Sequence, residues 1–561
     1  MIEFPRFEIL GLVFFTALFL SLFIVPATIV LARKVGAVDI PKDRSSHSAP
    51  TTRLGGLGIG ASLVLSCLMF LPLNTFAWAF LAGLLVIIAT GLIDDVADIG
   101  PRWKFVGQIG AATAFVLMGG GTLVNLGDFL GGGKITLDLF AVPLTIFCMV
   151  GGMNAFNLSD GLDGLAGGMA TIAAVFFAFF SWHAHIPDLL LVCVALLGAV
   201  MGFLRYNNYP AKLFMGDCGS LALGYVLAAV LVSGSQRGGY HISLAAWAMV
   251  VALPLLDTLF VMARRVRYGD SPFMPDRTHL HHRLMTLGLA HPAVVAVMYA
   301  VMAFFGTLAL ALHDYPDWYE FAVLCLAGVV LIGGISALQH LGFTFNLQRR
   351  KRAYSMVRQW PAFKKFSRAI VTNTVTISLI GLFLLCVPAL FFSLPELNRN
   401  EALALLILVG IVVYYSLHWT QNYKGMLHGS VYVSIFVLIF LYNLAPGADG
   451  HWSRDYLTAI AALTTVWVMI KIFFRKNTNI LMTSSFELLM VLLSWFLPFV
   501  VFEELHFPAV VLDAGRMACL QVLPFMLATK IYFNAQPQGN KWVVGALGGA
   551  LAVIALRGLA G

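Results

Sequence analysis

Charge is what this sequence has least of. Only 11% of its 561 residues are charged and 60% are hydrophobic, where ordinary soluble domains carry roughly 25% charged residues. That scarcity excludes a disordered chain, a coiled coil and a soluble enzyme, because the apolar runs are too long and too many for one water-soluble core. Cysteine is scarce as well. The seven are an odd number, scattered, with no C-x-x-C, so no disulfide framework and no zinc site are expected. The few charges sum to +8. The basic residues sit in short loops between apolar runs and form no face with interleaved aromatics. They read as topology signals and as attraction to anionic lipid, and nucleic acid is not expected as a partner.

In place of charge there are apolar runs of about 20 residues, the length that crosses a bilayer. Residues 8–32 lack an A-x-A site and are too long for a signal-peptide core of roughly 7–15 residues, so they read as a first span. Eleven apolar segments lie between residues 8 and 340, the ninth at 244–263, and seven more between 369 and 557. The fold class is therefore all-α, a polytopic integral membrane protein with about 18 spans. With the N-terminus outside, in the periplasm, 28 of the 35 basic residues fall on the inner side, as the positive-inside rule demands. The basic stretch 341–368 divides the chain into a membrane domain at 1–345, a cytoplasmic linker at 346–368 and a second helical membrane region at 369–561.

The dense polar chemistry falls in the inner loops of the first half, in four clusters. Asp94 and Asp95 end the third run, with Asp98, Arg102 and Lys104 beyond. Adjacent carboxylates repel and call for a cation or a proton, although a solvated loop would also explain them. Asn154, Asn157, Asp160 and Asp163 recur every third residue, which puts them on one side of a helix and suits a hard cation or a sugar nucleotide. Asn207 opens a third cluster that runs through Phe214-Met215-Gly216-Asp217, where Asp217 is either a metal ligand or a helix cap. His279, His281, His282 and Arg283 form the fourth. It suits an anionic substrate better than zinc, since adjacent histidines are not a helical i, i+4 pair. Asp257 and Arg264 read as a structural pair on the ninth helix. Carboxylates with basic residues at a membrane face invite Mg²⁺-assisted phosphoryl transfer between a soluble nucleotide and a lipid phosphate.

These clusters, with Asp39-Ile40-Pro41, Arg44-Ser45-Ser46-His47 and Arg53-Leu54-Gly55-Gly56 before them, resemble the polyprenyl-phosphate N-acetylhexosamine-1-phosphate transferases over roughly residues 1–340. The resemblance implies transfer of a sugar-1-phosphate, GlcNAc-1-phosphate first, from a UDP-N-acetylhexosamine to undecaprenyl phosphate. UMP is released, and cell-surface polysaccharide synthesis begins at the cytoplasmic face of the bacterial inner membrane. It implies Mg²⁺ (or Mn²⁺) on Asn157 and Asp217. It places Asp94 nearest the lipid phosphate as base or as positioner, with Asp95 in support. Asp160 and His279 join the catalytic set, Asp160 toward either metal or nucleotide. It gives Lys104 a phosphate contact, Asp163 the uracil ring, and Asn154, Asn207, His281, His282 and Arg283 the substrate. A homodimer is compatible with this reading. The rival is a polytopic transporter or flippase of lipid-linked or small anionic substrates. Residues 369–561 carry no recognised motif, and read as a structural or partner-binding module or as a glycan-handling one.

Overall fold

The computed structural model describes residues 7–39, 50–238, 240–271, 278–344, 374–387, 389, 399–417, 424–444, 447–474, 509–535 and 540–560. The expected linker 346–368, the apolar segment 483–502 and the motif residues Pro41, Arg44 and His47 lie outside them. The chain divides into two compact units, one built mainly of residues up to 346 and the other of residues beyond.

In the first unit every one of the eleven apolar segments falls on a helix. The helices are α1 (Phe7–Val35), α2 (Gly55–Phe70), α3 (Thr75–Ala97), α4 (Pro101–Leu117), α5 (Ala141–Leu158), α6 (Leu165–His183) and α7 (Pro187–Asn207). After them come α8 (Gly216–Gln236), α9 (Leu244–Val250), α10 (Ala252–Arg267), α11 (Leu280–Thr286), α12 (His291–Leu312) and α13 (Asp317–His340). The ninth segment, expected as one helix, is two. The chain turns by 86° between α9 and α10. Pro254 lies at the start of α10, where its missing N–H costs least and the helix before it has ended. Among the described residues, eight helices are long and apolar enough to cross a membrane, or nine with the bent pair as one span. The protein is a multi-pass membrane protein.

Between lipid-soluble helices there is little hydrophobic drive, so close packing of small residues holds the bundle. Along α2, Gly56, Gly58 and Gly60 each meet a different helix. A Cβ at 56 would lie 1.9 Å from Gly219 N on α8, one at 58 would lie 2.5 Å from Val25 on α1, and one at 60 would lie 2.6 Å from Ile88 on α3. On α7, Gly198 and Gly202 lie against α1, and the Ser21 hydroxyl donates to Ala199 O across that contact at 2.7 Å. A two-residue hairpin, β1 (Val38–Asp39) with β2 (Thr51–Thr52), precedes α2. Its Thr52 O accepts from Phe214 N at 2.8 Å, and Gly55 N and Gly56 N donate to Phe214 O and Met215 O. The segment leading into α8 is thereby tied down before the helix starts.

The second unit has helices at Thr374–Cys386, Arg399–Leu417, Lys424–Asn443, Gly447–Phe474, Ala509–Ala535 and Asn540–Ala560. They pack around an apolar core that includes Ile435, Ile439, Tyr442, Phe525, Tyr532 and Leu551. Its polar interior is small. Asn443 donates to Gln521 at 2.9 Å, Gln521 donates to Thr458 at 3.0 Å, and Arg454 donates to Asn443 O at 2.8 and 3.1 Å. An arginine on the carbonyl end of a helix is a stabilising cap.

The contact between Gly56 and Gly219 allows no side chain. Gly56→Ala forces backbone apart, and overpacking of this kind costs about 1–3 kcal/mol. We expect a lowered thermal midpoint for the detergent-solubilised protein, read by gel filtration after heating. A midpoint equal to that of the parent chain would contradict the close approach.

Candidate active site

The site forms where helix ends converge, and α8 is its pivot. The first N–H groups of a helix have no partner inside it and must be capped. Here the cap comes from another helix. Asp95, at the end of α3, accepts from Asp217 N through one carboxylate oxygen at 2.9 Å and from Cys218 N through the other at 3.0 Å. Gly216 at φ +70° makes room for it, since a Cβ there would lie 2.4 Å from the Asp95 carboxylate and 2.1 Å from Arg53 O. Gly91 does the same one turn earlier on α3, where a Cβ would meet Cys218 Cα at 2.4 Å.

This capping sets Asp217 beside Asp94 and Asp95. Carboxylate oxygens of the three lie within 4.8 Å of one another. Such crowding is tolerated because Lys104, in the first turn of α4, places its ammonium 2.7 Å from Asp94 Oδ2 and 2.6 Å from Asp217 Oδ2. Asp94 is buried and its other oxygen, Oδ1, has no hydrogen-bond partner among the described residues. Asn157, near the end of α5, donates to Asp217 Oδ1 at 3.2 Å and to Ser220 Oγ at 2.8 Å. The donor set is one of hard oxygens around a point already favoured by a cation, which fits Mg²⁺ or Mn²⁺. In the present rotamer the Asn157 amide nitrogen faces Asp217, so the amide would turn its oxygen inward to serve as a ligand.

The second cluster starts on α5 with Asn154 and Asn157, but the helix ends at Leu158, so Asp160 and Asp163 lie in the turn before α6 rather than on one helical face. Burial, with the carboxylates of Asp217, Asp163 and Asp95 nearby, pushes the Asp160 carboxyl up to about 7. A proton or a cation is therefore favoured at Asp160 near neutral pH. Asp163 accepts from Ala211 N at 2.9 Å, and its own N–H points to His291 Nε2 at 3.2 Å. Asn207 is buried with both ends used, accepting from Gly164 N at 2.9 Å and donating to Leu213 O at 2.8 Å. Expected as a substrate contact, it is placed as the strut between the second and third clusters. Asn154 exchanges hydrogen bonds with Gln108 of α4 and donates to Val150 O.

The histidine loop reaches the same turn. His281 packs on Gly161, where a Cβ would lie 2.3 Å from its Nε2. Burial and the imidazoles of His282, His279 and His291 hold His281 down to about 3. Burial thus favours the neutral imidazole at this position. His282 lies against it, ring centroids 4.2 Å apart. Arg283 turns away onto α13, donating to Ser336 Oγ at 2.7 Å and Gln339 Oε1 at 3.0 Å, with its guanidinium over Phe260. Asp257, expected to pair with Arg264, instead holds His279, whose Nδ1 lies 3.0 Å from Asp257 Oδ2. Arg264 lies over Tyr268.

Two site residues, Gln108 and His291, escaped the sequence reading. Gln108 carried a usable signal, since it lies four residues after Lys104 on the same helix face. His291, next to Pro292 at the head of a span, carried none beyond its residue type. Its ring stacks on Tyr209 at 4.5 Å.

Acids and a lysine gathered where helix ends meet in a multi-pass bundle make a charged site of the kind that can hold a cation and phosphate groups. The comparisons agree. A sequence model of glycosyl transferase family 4 matches residues 77–235. A relative from Bacillus subtilis, described as a probable undecaprenyl-phosphate N-acetylglucosaminyl 1-phosphate transferase, is 33% identical over 316 residues, 55% of this chain and 87% of its own. A decaprenyl-phosphate N-acetylglucosaminephosphotransferase of Mycobacterium tuberculosis is 34% identical over 59% of this chain and 88% of its own. The undecaprenyl-phosphate alpha-N-acetylglucosaminyl 1-phosphate transferase of Escherichia coli K12 is 31% identical over 55% and 86%. The chain belongs to glycosyl transferase family 4, the polyprenyl-phosphate N-acetylhexosamine-1-phosphate transferases.

If Asp95 is the cap of α8, an acceptor at position 95 matters more than its charge. Asp95→Ala should lose transferase activity by more than about tenfold and lower stability by about 1–2 kcal/mol, the worth of a cap. Asp95→Asn, which keeps one acceptor, should recover part of both. Parallel activity and melting measurements check this, and equal loss in the two variants would contradict it.

Proposed function

We propose that this chain transfers N-acetylhexosamine-1-phosphate, GlcNAc-1-phosphate first, from a UDP-sugar to undecaprenyl phosphate and releases UMP. The observation that carries the reading is Lys104 between Asp94 and Asp217. It brings the carboxylate assigned to the lipid and the carboxylate assigned to the metal onto one ammonium. Family membership supports a prenyl-phosphate acceptor and transfer of a sugar phosphate. The names of the relatives favour GlcNAc.

In this reading Asp217 and Asn157 hold Mg²⁺ (or Mn²⁺), which when bound supplies charge neutralisation to the diphosphate. Lys104 receives phosphate oxygens as they approach and releases its carboxylates to do so. Asp94 orients the lipid phosphate. That phosphate is already largely ionised near pH 7, its second pKa being about 6, so in-line attack on the phosphorus bearing the sugar needs positioning more than a base. The Asp160–Asp163 turn and the histidine loop close over the nucleotide and sugar.

The acids lie at helix ends, whereas a transporter's coupling groups sit near the bilayer midplane, and this weighs against the transport alternative. For topology we propose eleven spans in the first half, with α2 and α4 as short ones and the N-terminus periplasmic, and about seven in the second. The active site then faces the cytoplasm of a bacterial inner membrane. The product would begin a cell-surface polysaccharide of the O-antigen, common-antigen or teichoic-acid type. Residues 1–345 form the transferase domain, 346–368 its basic linker.

Two measurements check the reading. With purified protein, undecaprenyl phosphate, Mg²⁺ and labelled UDP-GlcNAc, we expect a lipid-linked product, and Asp217→Ala should lower the rate by about 10²–10³ or more. Near-normal turnover of Asp217→Ala would remove the metal assignment. Asp217→Asn should respond to Mn²⁺ if a metal sits there. Separately, residues 1–345 expressed alone should keep the activity. A monodisperse fragment that makes no lipid product would show that residues beyond 345 contribute to catalysis.

A further inference from the structure

The bend between α9 and α10 delivers a buried carboxylate to the histidine loop. Asp257, two turns into α10, uses both oxygens there. Oδ2 faces His279 Nδ1 at 3.0 Å and Oδ1 accepts from Leu280 N at 2.8 Å. Both side chains are 5% exposed. A buried carboxylate is costly unless its hydrogen bonds are good, and an asparagine could cap Leu280 N without a charge. The charge is explained by the ring. An ionised carboxylate only accepts, so Nδ1 of His279 must carry the proton, and Nε2 becomes the variable atom. That Nε2 is buried and has no hydrogen-bond partner among the described residues, which in a well-packed protein calls for an explanation. The ring runs parallel to His281, with an interplanar angle of 6° and centroids 6.1 Å apart, and His281 is the ring seated on Gly161 of the catalytic turn.

We infer that Asp257 is a positioning residue of the transferase, fixing the tautomer and tilt of His279 so that its Nε2 is presented to the bound donor. The inference rests on the transferase reading. Carboxylates behind metal-bound imidazoles are typically worth about 10–100-fold when removed, and a loss of that order is expected here.

The test is a double-mutant cycle in the full-length protein with UDP-GlcNAc and undecaprenyl phosphate. Asp257→Asn should lower kcat by about 10–100-fold with little change in KM for UDP-GlcNAc. His279→Gln should lower it at least as much, and the double variant should lose no more than His279→Gln alone. Asp257→Glu, which keeps the carboxylate, should recover part of kcat, and Asp257→Ala replaces Asp257→Asn in the cycle if that variant does not fold. Additive losses, or Asp257→Asn at parental kcat, would overturn the assignment. A readout independent of turnover is the ¹⁵N spectrum of histidine-labelled protein. His279 should be the Nδ1–H tautomer, and Asp257→Asn should shift that population. If the parent chain makes no lipid product the functional reading fails, and an unshifted tautomer separately overturns the role of Asp257.

Discussion

The arrangement depends on one interaction, the seating of the Asp95 carboxylate on the first N–H groups of α8. The first N–H groups of a helix have no partner within it and call for an acceptor from elsewhere. An acid supplied by α3 satisfies them and also complements the positive end of the helix dipole. The consequence is geometric. The same contact carries Asp94 and Asp217 close together, which neither would favour alone. Lys104 then offsets the repulsion, and α4 must start where its first turn can reach them. Glycines at 56, 91, 216 and 219 are the steric counterpart, because any side chain there meets backbone or the capping carboxylate. The site's charge and the bundle's tight packing are thus two sides of one contact.

Much of this was legible in the sequence. Long apolar runs separated by basic loops revealed the helices of the first unit, since the bilayer length and the shortage of charge leave few alternatives. The four polar clusters were visible because polar residues are rare in such a chain. What the sequence did not show was how each residue spends its hydrogen bonds. Asp95 and Asp94 are adjacent and look equivalent, yet one caps a helix and the other faces the lysine. Asn207 looks like a ligand group, and its amide bridges Gly164 N and Leu213 O. Asp257 and Arg264 do share α10, yet the Asp257 carboxylate is engaged by His279 and Leu280 N, which arrive from a loop more than 20 residues away. Arg283 belongs to the histidine motif, and its guanidinium is taken by α13. Each of these is a long-range contact, and such contacts leave no periodic mark in the sequence.

The second unit is built differently. Its described interior is apolar, with a short Arg454–Asn443–Gln521–Thr458 chain of hydrogen bonds and, among the described residues, no gathering of acids like that at α8. Among its described residues the apolar helical stretches are short, at 376–386, 405–414 and 431–443, and the eight helices long and apolar enough to cross a membrane all lie in the first unit.

The central claim is that the acids held at the start of α8 form a divalent-cation site that meets the donor's diphosphate. Electron paramagnetic resonance of Mn²⁺ bound to the purified protein, with UDP-GlcNAc present, addresses it directly. Mn²⁺ should bind at about one ion per chain, magnetically coupled to ³¹P of the donor, and that signal should be lost in Asp217→Ala. Equal Mn²⁺ binding in Asp217→Ala, or bound Mn²⁺ without phosphorus coupling, would contradict it.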